Sequence, residues 1–426
     1  VPIPPAPATV DATGLNEETI SQLLLKTLYF GGELTGAVLA RRLGLSFRVI
    51  ESSLEFLTTQ RSCEIAGGAM LGRGSFRYRI TEAGRSTAVM FLQQNQYVGV
   101  APVPLTQYQA YMKAFGETHQ LQVTERQVRE AFAHLVLSDA VLDEIGPAIN
   151  GNHSIFIYGP PGNGKTAMAR GIQRLLSGEI AIPFAIEVEG QIIRVFDPVT
   201  HERVPTQKSV LGDFEVDASA DARWMLCRRP AVVTGGELTL DSLELSFDAR
   251  HGFYRAPMHL LANGGLLIID DFGRQHCSPG DLLNRWMVPL ENRVDYLTLR
   301  SGLKFEVPFQ VLVAFATNIK PADLVDEAFL RRVQYKVFAE NPDRESFIRI
   351  FELCCLERGI PFARALVEQV LDGYYVSRQV PLRACQPRDL VNHAMLLATY
   401  RGLPKLLTSE LLDSACHSYF VEDGPG

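Results

Sequence analysis

The chain has 426 residues, 46% of them hydrophobic and 21% charged, with a formal net charge of −7. That is enough for two to three domains with their own cores, and the composition is ordinary for a globular protein. The acidic balance excludes a global basic field that would drive nucleic-acid binding and leaves room only for a local basic patch.

Residues 1–14 are Pro-rich and read as a flexible lead-in. From Glu17 the pattern is helical, with Ile20, Leu23, Leu24 and Leu28 on one face, and Gly31-Gly32 stops it. A second short helix carries Leu34, Val38, Leu39 and Leu43, and Ser46 caps a third that turns Val49, Ile50, Leu54 and Leu57 inward. Cys63–Ala66 and Phe76–Ile80 read as strands around a Gly-rich turn, and Thr81 opens another helix. Three helices and a two-stranded ribbon over 15–101 resemble a winged helix. In that fold the third helix can enter a major groove, here with Arg48, Arg61, Arg73, Arg77 and Arg79 within residues 46–80 facing duplex DNA. Glu51 and Glu55 on the same helix favour the alternative, a protein-docking or oligomer-contact module.

Pro102-Val103-Pro104 punctuates the chain, and 102–123 read as a linker. Thr124–Leu137 is an amphipathic helix, and Ser138 caps the next one. The apolar run Ile155–Tyr158 then breaks into Gly159-Pro160-Pro161-Gly162-Asn163-Gly164-Lys165-Thr166, and a helical pattern follows from Ala167. This is the strand–loop–helix setting of the G-x-x-x-x-G-K-[ST] phosphate loop. Its glycines let backbone N–H groups converge on phosphate oxygens, and the helix N-terminus behind them favours the same negative charge. Lys165 can reach β- and γ-phosphates, and the Thr166 hydroxyl can bind Mg²⁺. Leu137 and Val141 are candidates to line a base pocket.

Ile182–Val188 and Ile192–Phe196 flank Glu189-Gly190, a hairpin signal. Residues 197–262 read as a long excursion carrying the aromatic pair Phe253-Tyr254, and segments of this length inside a domain are usually functional. Leu266–Ile269 followed by Asp270-Asp271 reads as a buried parallel strand with carboxylates at its ligand-facing end. Asp270 would face Mg²⁺ and phosphate, and Asp271 would polarise an attacking water. The triplet Asp271-Phe272-Gly273 lacks the loops of a kinase. Phe309–Ala316 is a further strand, with Asn318 at its tip. Arg331 and Arg332 end a helix before the strand Tyr335–Phe338. From Pro342 the chain is helical, over about 343–358, 361–377, 387–402 and 408–420, with Arg388 in the first turn of the third helix.

Seven scattered cysteines without a CxxC pair read as reduced thiols of a cytosolic protein. No apolar run is long enough to span a bilayer and no signal-peptide pattern is present, so a cytoplasmic protein without membrane insertion is expected.

The set GPPGNGKT at 159–166, LLIIDD at 266–271, ATN at 316–318, FLRR at 329–332 and QPRD at 386–389 resembles an AAA+ ATPase over residues 120–422. The resemblance implies an α/β core with a five-stranded parallel sheet (124–340, with an insertion over 182–262) and an all-helical lid (341–426). It implies bound ATP and Mg²⁺ and a homo-oligomeric ring, often a hexamer. It assigns Asn318 as the first sensor, Arg331 or Arg332 as a finger reaching the neighbour's phosphate in trans, and Arg388 as the second sensor. Phe253-Tyr254 would stand where unfoldase relatives carry a pore loop. The family usually has Glu where Asp271 stands, which is one methylene longer. The expected activity is ATP hydrolysis by a bacterial ring motor that remodels a protein partner. The alternatives are a DNA-directed AAA+ protein and a slow nucleotide-switched scaffold.

Overall fold

The computed structural model describes residues 3–67, 73–205, 219–324, 331 and 333–420. In the N-terminal body the expected flexible lead-in is instead ordered over its described residues: Val10–Thr13 is a short helix with Thr13 fully buried, and the helix Glu17–Gly31 follows, capped by Asn16, whose Oδ1 accepts from the Thr19 amide at 2.7 Å. Gly32 ends it at φ 70. The helices Gly36–Leu43, Phe47–Thr59 and Glu82–Gln94 pack with it around Leu24, Leu28, Ile50 and Leu54, all fully buried. The expected ribbon gains a third strand: Glu33–Thr35 and Cys63–Gly67 pair antiparallel on either side of Arg77–Ile80.

The expected linker is not one. Val103–Pro104 forms an edge strand, and Leu105–Thr118 is a helix that buries Tyr108, Tyr111, Met112 and Phe115. Proline is tolerated at a sheet edge because its missing N–H is not needed there. This strand completes a second five-stranded sheet, ordered Ser246–Asp248, Phe253–Arg255, Gln191–Arg194, Ala185–Val188, Val103–Pro104. The Glu189-Gly190 hairpin lies inside it: Val188 pairs with Gln191, and the two turn residues have φ 48 and 76. Both central residues in the left-handed region match the right-handed twist of the flanking strands.

The core sheet is parallel throughout, ordered Ala231–Thr234, Leu266–Ile269, Leu312–Thr317, Ile155–Tyr158, Tyr335–Phe338. Successive side chains serve opposite layers. Ile155, Ile157, Leu266, Ile268 and Ala314 pack on Ile145, Met168 and Ile172 of the helices before and after the phosphate loop. Phe156, Leu267, Ile269 and Phe315 pack on Leu282 and Trp286 of the helix Pro279–Asn292.

Two expectations are corrected here. The 197–262 excursion contains a core strand, Ala231–Thr234, in register with Leu266–Ile269. And Tyr254 lies at 3% exposure in the second sheet, accepting a hydrogen bond from the Arg300 amide at 2.9 Å, while Phe253 packs edge-on against Tyr97 of the N-terminal body. Tyr254 so placed packs the second sheet, and Phe253 is half-buried against the N-terminal body, so the pair is not an exposed loop.

A hairpin the sequence reading passed over, Val294–Thr298 with Lys304–Pro308, follows Pro279–Asn292 and is anchored by Arg285, which donates to Asp295 at 2.6 and 3.0 Å. The C-terminal lid comprises Arg344–Glu357, Arg364–Val370 continuing as a π-helix to Val376, Gln386–Tyr400 and Ser409–Tyr419 around their own core.

Candidate functional site

The site grows from the C-terminal ends of the core strands, where open α/β sheets bind ligands. Gly159, Gly162 and Gly164 have φ of 145, 85 and 73, so the chain between Tyr158 and Lys165 curls through conformations that side chains resist. Gly164 then caps the helix Lys165–Leu175. Lys165 is 8% exposed, and its Nζ donates to the Gly159 and Pro160 carbonyls at 3.0 and 2.8 Å. Burial pulls its pKa down; Asp271 and Asp270 oppose that shift, and Arg383 adds to it.

The Thr166 hydroxyl donates to Asp270, lying 3.0 and 2.8 Å from its two carboxylate oxygens. A hydroxyl and a carboxylate held together beside a phosphate loop are a hard-oxygen donor set of the kind Mg²⁺ takes alongside substrate phosphates. The residue pair therefore fits the ion, and Thr166 and Asp270 are the side chains that would hold it.

Asp271 is exposed and sits at φ 48, held there by its neighbours. The Phe272 amide donates to Ala316 O at 2.8 Å, and Phe272 O accepts from the Thr317 hydroxyl at 2.6 Å. The Phe272 ring is buried against Phe156 and Phe315. Phe272 is thus the anchor that turns Asp271 out into the cleft. Asn318 Nδ2 lies 3.4 Å from Asp271 Oδ1. Gln275, which the sequence did not single out, donates to the Asp270 and Asp271 carbonyls at 3.2 Å each.

Beside these groups, between the core and the lid, opens a cleft of about 580 Å³, within the range of small-molecule sites; Gly159 and Pro160 are not in its wall. The cleft brings together Pro161 through Ala167 of the loop, Asp270, Asp271, Asn318, Leu137 and Arg388. Val141 is not part of its wall but lies in the core cluster below. Arg388 is reached by solvent and pairs with Asp389 at 3.3 Å. Arg331 is exposed, and Arg332 lies outside the described residues, as do Phe329 and Leu330. Another lid arginine, absent from the motif reading, touches the loop directly: Arg383 Nη1 donates to Pro161 O at 2.6 Å.

Comparisons with known proteins bear on the same regions. The family model "Magnesium chelatase, subunit ChlI" matches residues 140–193, and a "Domain of unknown function (DUF8689)" matches residues 343–418, the lid. The chain is 26% identical over 260 residues to the ATP-dependent zinc metalloprotease FtsH 1 of Conexibacter woesei, covering 60% of this chain and 30% of that protein. The chain thus spans under a third of that relative. Among solved structures, the RuvB Holliday junction branch migration motor of Thermotoga maritima is similar at 13% identity and TM-score 0.39, over 67% of this chain and 71% of that one. NtrX of Brucella abortus is similar at 17% identity and TM-score 0.39, over 71% and 60%. Among the described residues no group of three or more His, Cys, Asp or Glu could hold a metal, and no helix is long and apolar enough to cross a membrane. The phosphate-loop motif, the carboxylate-tipped neighbouring strand, the match over 140–193 and the likeness to FtsH 1 together make this chain similar to the AAA+ P-loop ATPases.

Proposed function

We propose that the chain is a ring-forming motor that binds ATP with Mg²⁺, hydrolyses it and remodels a protein partner. The observation that carries this reading is the Thr166–Asp270 pair at 2.8 Å beside Lys165, at the head of an open cleft. Lys165 and the loop amides hold the β- and γ-phosphates of the substrate. When bound by Thr166 and Asp270, Mg²⁺ supplies charge that offsets the negative charge developing on the transferred phosphoryl group. Asp271 accepts the proton of the attacking water, and Asn318, 3.4 Å away, orients it. Arg331 or Arg332 acts as the finger toward a neighbouring subunit in a hexamer, and Arg388 approaches the phosphates from the lid. A cytoplasmic bacterial setting fits this work.

The protein-partner reading is favoured over DNA by the charge pairing of the N-terminal body. Arg73 is paired with both Glu51 and Glu55, Arg77 lies 3.3 Å from Glu33, and Arg79 lies 3.5 Å from Glu33 and 3.6 Å from Glu64. Cations already matched to carboxylates release few counterions on meeting phosphate. Steady-state phosphate release, with sizing of the protein with and without a slowly hydrolysed ATP analogue, tests the motor. A background rate and an unchanged size would overturn it. A salt-dependent shift of duplex DNA would move the client from protein to DNA. The slow-scaffold reading rests on the short Asp271 side chain and predicts that Asp271→Glu hydrolyses faster than the natural chain.

A further inference from the structure

Asn163 fills a position of the phosphate loop that the motif leaves open, and nothing in nucleotide chemistry requires an amide there. Yet its side chain is buried at 6% exposure and is tied to three residues in two other parts of the molecule. Its Nδ2 donates to Ala339 O at 3.2 Å and to Asn341 Oδ1 at 2.8 Å, both in the connector that leaves the last core strand for the lid. Its Oδ1 accepts from the Ala384 amide of the lid at 3.3 Å. Both amide protons and the carbonyl oxygen are therefore engaged, and each partner lies more than 170 residues away in the chain.

The surrounding contacts extend the same seam. The Cys385 amide donates to Gly162 O at 2.8 Å, and Arg383 reaches Pro161 O. Gln386, 4% exposed, fixes the lid segment by accepting from the Arg383 amide at 2.7 Å. The packing is close: a Cβ on Gly162 would lie 2.7 Å from Cys385 Sγ, and one on Gly159 would lie 2.4 Å from Ala339 O. Three consecutive loop residues, Pro161 to Asn163, thus touch three consecutive lid residues, Arg383 to Cys385. Arg388, the lid residue the motif pointed to, makes its side-chain hydrogen bond to Asp389 instead.

We propose that Asn163 is a positioning residue that couples the phosphate loop to the lid: when the loop settles around phosphates, the amide carries the displacement to Ala384 on one side and Asn341 on the other. It touches no reacting atom. The inference rests on the ATP-binding reading above, but its mechanical part is testable without nucleotide. A buried amide with every hydrogen-bonding group satisfied specifies one geometry, because any other arrangement leaves a polar group unpaired.

The test uses the full chain with three variants: Asn163→Ala, Asn341→Ala, which leaves the loop sequence untouched, and Asn341→Asp, which keeps an acceptor for Nδ2. Hydrogen exchange over residues 383–390 reports the seam, and a fluorescent ATP analogue reports binding. Without nucleotide, the Cys385 amide should exchange about tenfold faster in both alanine variants. With analogue, affinity should stay within about threefold of the natural chain while kcat falls about tenfold, and Asn341→Asp should recover most of the loss. If Asn163→Ala fails to fold, Asn341→Ala and its aspartate counterpart carry the test alone. Unchanged exchange and unchanged kcat in Asn341→Ala would overturn the proposal. Failure of the natural chain to bind the analogue, with the seam still responding to Asn341→Ala, would instead sink the ATP reading and leave the seam standing.

Discussion

Two polar clusters in this molecule are built from the same kinds of residue and put to opposite uses. Arg223, 1% exposed, directs Nε and Nη2 at Asp221, Nη2 also at Gln107 Oε1, and Nη1 at the Thr13 and Pro102 carbonyls. All five guanidinium donors find partners, and together these bind the N-terminal lead-in, the Leu105–Thr118 helix and the segment before Trp224 into one body. In the nucleotide cleft Lys165 rests on loop carbonyls, the Asp270 carboxylate accepts from one hydroxyl and one backbone amide, and Asp271 is exposed with Asn318 at 3.4 Å. The first cluster has no capacity left for a ligand, and the second has little else. Completeness of hydrogen bonding, more than charge or residue type, separates a structural pin from a reaction centre.

Breaking each cluster should therefore have different signatures. Lys165→Ala should lower hydrolysis by about 1,000-fold or more, read by phosphate release, with little change in denaturant midpoint. Arg223→Met should leave Asp221 buried and unpaired and cost about 3–4 kcal/mol of stability, read by urea unfolding. Asp271→Asn should lower kcat by about 100-fold at nearly unchanged ATP affinity. The smallest effect sharpens the comparison through pH. Burial alone would raise the Asp295 pKa, but the His259 ring 2.8 Å away and the hydrogen bonds from Arg285 outweigh it and hold it at about 2. A carboxylate depressed below its ordinary value of about 3.9 stabilises the fold fully above that pH. Its contribution is lost as pH falls toward 2, so Asp295→Asn should flatten the acid limb of the stability profile between those values.

Much of the cleft was legible because its signals are local. The phosphate loop, the run Leu266–Ile269 with its terminal acids, and Asn318 after Leu312–Thr317 each state their element in a few residues. Ala231–Thr234 was missed because four residues between Arg229-Pro230 and Gly235-Gly236 look like a break, and only pairing with Leu266–Ile269 makes them core. Pro102-Val103-Pro104 looked like a linker because proline punctuates most chains, whereas here an edge position accommodates it. Tyr254 was read for its ring and proved to be filling a sheet interface. Arg383 and the role of Asn163 had no local signal at all: what they touch lies more than 170 residues away.

The edge strand Val103–Pro104 makes the N-terminal body a fixture instead of a tethered module. It pairs with Ala185–Val188, whose partner strand pairs in turn with Phe253–Arg255. Whatever docks on the first hundred residues is thereby seated against the second sheet instead of hanging from a free tether. Removing that body by cutting the chain at Pro102 would leave the edge strand at a new chain end and take the Thr13 and Pro102 carbonyls from the buried Arg223 guanidinium, so a shortened protein would report the loss of a foundation before it reported the loss of a binding surface.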